Sequence, residues 1–236
     1  MPFTALGLAP ALARAAAELG FSSPTPVQSE AIPAVLAGVD LLATAQTGSG
    51  KTAAYALPLL QRLLAAEPLT PRRVRALVLV PTRELAAQAG EVVRSLAQHL
   101  PQRPKVAVVF GGVSINPQMM ALRGGADVVV ATPGRLLDLV EHNALRLSAV
   151  ELLVLDEADR LLDLGFADEL ARVLALLPAQ RQNLFFSATF PPDVQALAGT
   201  LLHEPARIDV PAVAMEDAVI LQQAYRVDTT RRTELL

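Results

Sequence analysis

From Ala76 onward, short apolar or β-branched runs alternate with longer segments whose apolar residues recur at helical spacing. Residues 76–80, 106–110, 127–131, 152–156, 183–187 and 208–210 read as strands, and the apolar stretch 39–44 adds a seventh. The runs 128–130 and 152–155 are continuously apolar, the mark of strands covered on both faces. The rhythm predicts an α/β fold: a mostly parallel central sheet of about seven strands, with helices on both faces. Upstream, residues 10–19 are alanine-rich and helical in pattern, with Pro10 suited to a first turn and Gly20 to a stop. The proline- and serine-bearing stretch 20–28 reads as a loop, with helix resuming over 29–36. The connection 67–75, with Arg72, Arg73 and Arg75, reads most simply as a solvated loop.

In such a sheet ligands bind at the carboxyl ends of the strands, and polar signatures sit there. Pro81-Thr82-Arg83-Glu84 follows the second strand, Gly111-Gly112 the third, Thr132-Pro133-Gly134-Arg135 the fourth, Asp156-Glu157-Ala158-Asp159 the fifth and Ser187-Ala188-Thr189 the sixth. After the first strand comes Ala45-Gln46-Thr47-Gly48-Ser49-Gly50-Lys51-Thr52, leading into a helical pattern, which is the context a phosphate loop requires. Gly48 and Gly50 let successive N–H groups turn inward on phosphate oxygens, and the helix adds the positive end of its dipole. Lys51 would reach the β and γ phosphates, and the Thr52 hydroxyl would serve Mg²⁺. Of the 20 basic residues only Lys51 and Lys105 are lysine, which fits a position where arginine's planar fork is too wide. The plain alternative is a Gly/Ser/Thr turn, and the first position is Ala45 where the general pattern has glycine. Asp156 ends an apolar strand, where a carboxylate can hold Mg²⁺, and Glu157 beside it can orient and deprotonate a water. An acidic cluster placed only to suit a helix dipole is the alternative there.

Composition narrows the classes. Hydrophobic residues make up 52% of the 236, yet charges and prolines interrupt every run before membrane-spanning length. The start, Met1 to Leu6, lacks the basic residues of a secretory signal, so a cytoplasmic location is expected. The absence of cysteine excludes disulfides, thiolate metal sites and a cysteine nucleophile. A net charge of −3 argues against nucleic-acid binding by bulk charge while allowing a local basic groove. His99, His142 and His203 fall near predicted helix ends, where a cation suits the dipole, and are not read as catalytic.

Together these motifs resemble the first RecA-like domain of a DEAD-box RNA helicase, and their order and spacing are similar to those of the bacterial RhlE-like subgroup. Residues 20–28 resemble the family's Q motif, 45–52 its motif I, 81–86 motif Ia, 132–135 motif Ib, 156–159 motif II and 187–189 motif III. Ala45 is normal for that family. The resemblance implies ATP and Mg²⁺ as cofactors, with the phosphates on Gln46, Thr47, Gly48, Ser49, Gly50, Lys51 and Thr52. It implies that Gln28 reads the adenine edge and that Phe21 stacks on the base; a buried aromatic and a capping glutamine are the structural alternative. Arg83, Gly112, Thr132 and Arg135 fall where the family grips RNA backbone without reading sequence. Ser187 and Thr189 resemble the link between hydrolysis and unwinding, through hydrogen bonds to Asp159. Residues 1–210 then form helicase domain 1, with an ATP-binding core from about residue 39. Residues 211–236 are expected to be the linker and start of a second RecA-like domain that this sequence does not contain. The resemblance implies a monomer that binds nucleotide, hydrolyses it slowly and does not unwind duplexes alone.

Two rivals stay open on the sequence. A DNA translocase shares the two-domain plan. A switch module holding nucleotide as a structural ligand would share the phosphate loop, although it would have no need of Glu157.

Overall fold

All seven expected strands form in the computed structural model, which describes residues 2–46 and 48–210. They are β1 (Leu41–Thr44), β2 (Ala76–Leu79), β3 (Val106–Val109), β4 (Val128–Ala131), β5 (Leu152–Leu155), β6 (Gln182–Ser187) and β7 (Ala206–Asp209). Nine α-helices lie among the described residues. These are α1 (Pro10–Glu18), α2 (Pro26–Leu36), α3 (Lys51–Ala65), α4 (Arg83–Gln98), α5 (Asn116–Ala121), α6 (Pro133–Glu141), α7 (Ala158–Asp163), α8 (Ala167–Ala175) and α9 (Pro192–Leu201). None is long and apolar enough to cross a membrane. The expected linker, residues 211–236, lies outside the described residues, as does Thr47.

The strand order is β3-β4-β2-β5-β6-β1-β7, and every pairing is parallel, so the sheet is wholly rather than mostly parallel. Successive side chains of a strand point to opposite faces, and here the two sets are buried in two separate cores. Val78, Val128, Val130, Val154 and Phe186 pack with α1 to α4. Leu77, Leu79, Val129, Leu155 and Phe185 pack with α6, α8 and α9 on the other face. This two-sided burial is why the inner strands β2, β4 and β5 carry no polar alternation, whereas the edge strand β7 does.

Two sequence expectations are corrected. Helix α2 starts at Pro26, not Ser29, because Pro26 takes the first helical position, where its missing N–H costs nothing. Gln28 therefore lies in the first turn of a helix rather than in a loop. The arginines of the 67–75 connection are not simply solvated: Arg75 is buried and makes a two-pronged pair with Glu151, both bonds at 2.9 Å, and Arg72 lies 3.4 Å from Asp127.

The amino ends of three strands are tied by one carboxylate. Asp40, directly before β1, accepts from the Asn183 N–H at 2.7 Å and the His203 N–H at 2.9 Å, so β1, β6 and the segment entering β7 share an anchor. Their carboxyl ends, where the polar signatures lie, are thereby held in step.

Candidate nucleotide and nucleic-acid site

The strand order divides the expected functional residues into two groups along one sheet edge. The phosphate loop follows β1, Asp156 and Glu157 follow β5, and Ser187 ends β6 between them. Arg83, Gly112 and Thr132 follow β2, β3 and β4, the three neighbouring strands at the far side. The structure thus gathers the nucleotide candidates at β5-β6-β1 and the backbone-gripping candidates at β3-β4-β2.

Gly50 caps α3 with φ of +95°, a conformation that L side chains rarely adopt. A Cβ there would lie 2.5 Å from Gln28 Nε2, so glycine is required twice, by conformation and by space. The Gln28 amide bridges the two motifs: its Nε2 donates to the Gly50 carbonyl at 3.1 Å, and its Oε1 accepts from the Thr25 N–H at 3.0 Å. Gln28 is only 2% exposed, yet each end of its amide keeps one bonding position unused among the described residues. Phe21 is partly buried against the core. Lys51, the first residue of α3, is 6% exposed, and its Nζ has no hydrogen-bond partner among the described residues.

Asp156 is likewise buried, with Oδ1 lacking a hydrogen-bond partner among the described residues and Oδ2 accepting from the Tyr55 hydroxyl at 3.1 Å. Burial pushes the Asp156 carboxyl up from its ordinary range, against the pull of the Lys51 charge and the Tyr55 hydrogen bond. Tyr55 is itself fully buried and its pKa is pushed well up, first by burial and then by the Asp156 charge, so the phenol remains a donor. Sequence reasoning missed Tyr55; its place one turn past Lys51 on the same helix was the available signal. Tyr55→Phe is expected to cost about 1.5–3 kcal/mol of stability, the range for a hydrogen bond to a charged group, read from the urea unfolding midpoint. An unchanged midpoint would mean that Asp156 finds another donor.

Glu157 has a left-handed backbone, φ +53°, uncommon for a residue with a side chain and a form of strain that concentrates at functional sites. Its carboxylate is buried and pairs with Arg160 at 2.8 Å.

Asp159, Ser187 and Thr189 form one closed network. Asp159 Oδ2 accepts from both the N–H and the hydroxyl of Thr189, each at 2.9 Å, and Oδ1 accepts from the Arg160 N–H at 3.1 Å. The Ser187 hydroxyl accepts from the Asp159 N–H at 3.2 Å and donates to the Thr189 carbonyl at 2.7 Å. Burial raises the Asp159 carboxyl, but the bonds from Thr189, Arg160 and Ser187 outweigh it and hold the group below its ordinary range. The ends of β5 and β6 are thereby locked to each other.

On the far side, Gly112 has φ of +77° in the turn after β3. That turn is held from beneath: the Gly111 N–H donates to Thr132 Oγ1 at 3.3 Å, and Arg135 Nη2 donates to the Val113 carbonyl at 2.7 Å. Gln118 clasps Phe110 with a reciprocal pair of bonds, both 3.1 Å, a contribution that the sequence reading did not identify. Thr132 and Arg135 are buried, whereas Arg83 is exposed and pairs with Glu84. Gly112 and Arg83 are thus the surface members of the group, and Thr132 and Arg135 support the turn that carries Gly112.

A glycine-bent phosphate loop on β1, an acidic pair at the end of β5 and one strand inserted between them define a RecA-like nucleotide-binding domain. The family model of the DEAD/DEAH box helicases matches residues 25–197, and the chain belongs to that family. It is 44% identical over 226 residues to a probable ATP-dependent RNA helicase, ddx27, of Dictyostelium discoideum, covering 95% of this chain and 28% of that protein. It is 38% identical to the DEAD-box ATP-dependent RNA helicase RhpA of Helicobacter pylori, covering 99% of this chain and 46% of the relative. The chain therefore spans less than half the length of these relatives. Among solved structures it resembles a DEAD box protein from Methanococcus jannaschii, with a TM-score of 0.80 at 36% identity over 89% of this chain and 56% of that one. The yeast DEAD-box splicing factor Prp28 gives 0.81 at 35% identity over 86% and 50%.

Proposed function

We propose that this chain is the ATP-binding half of a DEAD-box RNA helicase, which grips RNA backbone and couples ATP hydrolysis to local duplex unwinding. One observation carries the nucleotide reading above the others. Two buried groups of opposite charge in the same site, Lys51 Nζ and Asp156 Oδ1, lack hydrogen-bond partners among the described residues, an arrangement that costs free energy unless a ligand satisfies them. A phosphate tail with its magnesium ion does so: the phosphate oxygens take the Lys51 charge, and Asp156 and Thr52 hold Mg²⁺, in part through water. Bound there, Mg²⁺ would neutralise charge on the phosphate oxygens.

The other residues take the roles that their positions allow. Glu157, strained and held by Arg160, orients the attacking water and accepts its proton. The backbone from Gln46 to Gly50, with Thr47, wraps the phosphates. Phe21 and Gln28 read the adenine, Gln28 through the free position at each end of its amide. Gly112 and Arg83 contact RNA backbone, with Thr132 and Arg135 fixing the turn. The Asp159–Ser187–Thr189 network transmits a change at the nucleotide to the neighbouring strand end.

We take residues 1–210 as the first RecA-like domain and 211–236 as the start of a connection to a second, acting as a monomer in the cytoplasm. Motif order and spacing support the RhlE-like bacterial subgroup. Because arginine fingers from a second domain are worth about 10³–10⁵ in rate, slow turnover is expected of the chain alone, even with RNA.

The test is an equilibrium titration of the 236-residue chain with ADP and with GDP in Mg²⁺, repeated on Gln28→Ala. ADP is expected to bind at least about tenfold more tightly than GDP, the worth of one good polar contact, and the variant is expected to lose that preference. Equal binding of the two nucleotides would remove Gln28 and Phe21 from the base pocket.

A further inference from the structure

At the opposite edge of the sheet from the phosphate loop, among the turns that lead into β2, β4 and β5, lies a cavity of about 960 Å³. Four arginines line it, Arg72, Arg73, Arg123 and Arg146, and no aspartate or glutamate does. In a chain of net charge −3 this is a local concentration of positive charge against the overall balance. Arg72 is paired with Asp127. The side chains of Arg73, Arg123 and Arg146 have no hydrogen bond or ion pair among the described residues, and all three are exposed.

The walls are built rather than loose. A Cβ on Gly125 would lie 2.2 Å from the Arg72 carbonyl oxygen, so only glycine lets the turn before β4 lie against the connection before β2. Lys105 Nζ donates to the Arg123 carbonyl at 2.9 Å and fixes the other side of that turn. The apolar part of the lining includes Met119 and Met120, the latter 60% exposed. Methionine is the side chain best able to shape itself to different apolar groups.

We propose that this cavity is a docking site for an acidic segment of a partner protein, one that brings an apolar anchor between its carboxylates. Guanidinium forks match carboxylates in two-pronged pairs, and the methionines supply the anchor's pocket. An RNA segment is the other polyanion of matching charge. Against it, the apolar lining of Met119 and Met120 has no counterpart in a sugar–phosphate backbone, and with no Phe, Tyr or Trp in the cavity splayed bases find no stacking face. The site lies at the amino ends of β4, β2 and β5, opposite the carboxyl ends that carry the phosphate loop and Gly112, so a partner held there leaves the nucleotide and RNA face open.

The experiment titrates the 236-residue chain into a fluorescein-labelled octapeptide of glutamate and aspartate with a central Leu-Phe pair, read by anisotropy. The double variant Arg123→Glu with Arg146→Glu is compared with Arg14→Glu, a reversal on the exposed side of α1, and ADP affinity serves as the check on folding. Micromolar binding is expected for the unmodified chain, reduced at least about tenfold by the double reversal and little by Arg14→Glu. Replacing the Leu-Phe pair with glutamates is expected to weaken binding as well. Absent binding, or equal loss in both variants, overturns the proposal. A double reversal that spares the peptide while weakening an oligouridine RNA overturns it in favour of an RNA site.

Discussion

Lys51→Ala is expected to weaken ADP binding by about 1.5–3 kcal/mol, roughly ten- to a hundred-and-fifty-fold. The ammonium is buried and has no hydrogen-bond partner among the described residues, so its charge, which also acts on Asp156, meets a phosphate tail with little screening by solvent. The loss should be the same for GDP, because Lys51 meets the phosphates and not the base. That equality separates it from Gln28→Ala, whose effect is expected to depend on the base. Calorimetric titration of the variant with both nucleotides, alongside a cooperative unfolding transition that shows the fold intact, reads the effect. An affinity within twofold of the unmodified chain would mean that Lys51 does not meet the phosphates, and the phosphate-loop reading would fall with it.

The second large effect is on stability. Asp159→Ala removes the acceptor for the Thr189 N–H, the Thr189 hydroxyl and the Arg160 N–H together. A cost of about 2–4 kcal/mol is expected, since polar groups are left unsatisfied beside a packed strand end. For a domain of this size each kcal/mol moves the melting temperature by about 2–4 °C. The loss is also pH-dependent, with a definite sign. The folded-state pKa of Asp159 is depressed, so its contribution is complete above the unfolded carboxylate range. It disappears as pH falls through the depressed folded value. The gap in melting temperature between the unmodified chain and Asp159→Ala should therefore be widest near neutrality and narrow on acidification. A gap that stays constant down to about pH 3 would assign the loss to packing rather than to the charge.

Much of this was legible in the residues. Continuous apolar runs of four or five, spaced by helical patterns, can be buried only as a parallel sheet covered on both faces, and all seven strands stand within a residue or two of where the pattern put them. The glycine turn before α3 and the carboxylate that ends β5 were readable because their signals are local, whereas the contact of Asp159 with Ser187 and Thr189 was expected only from the resemblance to a known family. Less legible was the start of α2. Two prolines and three serines or threonines in 20–28 signal a loop, yet one of those prolines occupies the one helical position that tolerates it.

Sequence by itself determined the sheet, its two buried faces and the edge on which the polar motifs collect, because strand burial and helix signals depend on neighbours in the chain. Only the tertiary structure decided which motifs touch. The order β3-β4-β2-β5-β6-β1-β7 separates the nucleotide candidates from the expected backbone-gripping ones, places Gln28 against Gly50 and Tyr55 against Asp156, and gives Arg75 and Arg72 of the expected solvated loop the partners Glu151 and Asp127, with Arg72 and Arg73 lining a basic cavity. Those contacts join residues 22 to more than 100 positions apart, and local periodicity carries no information about which distant groups a strand order will bring within hydrogen-bond reach.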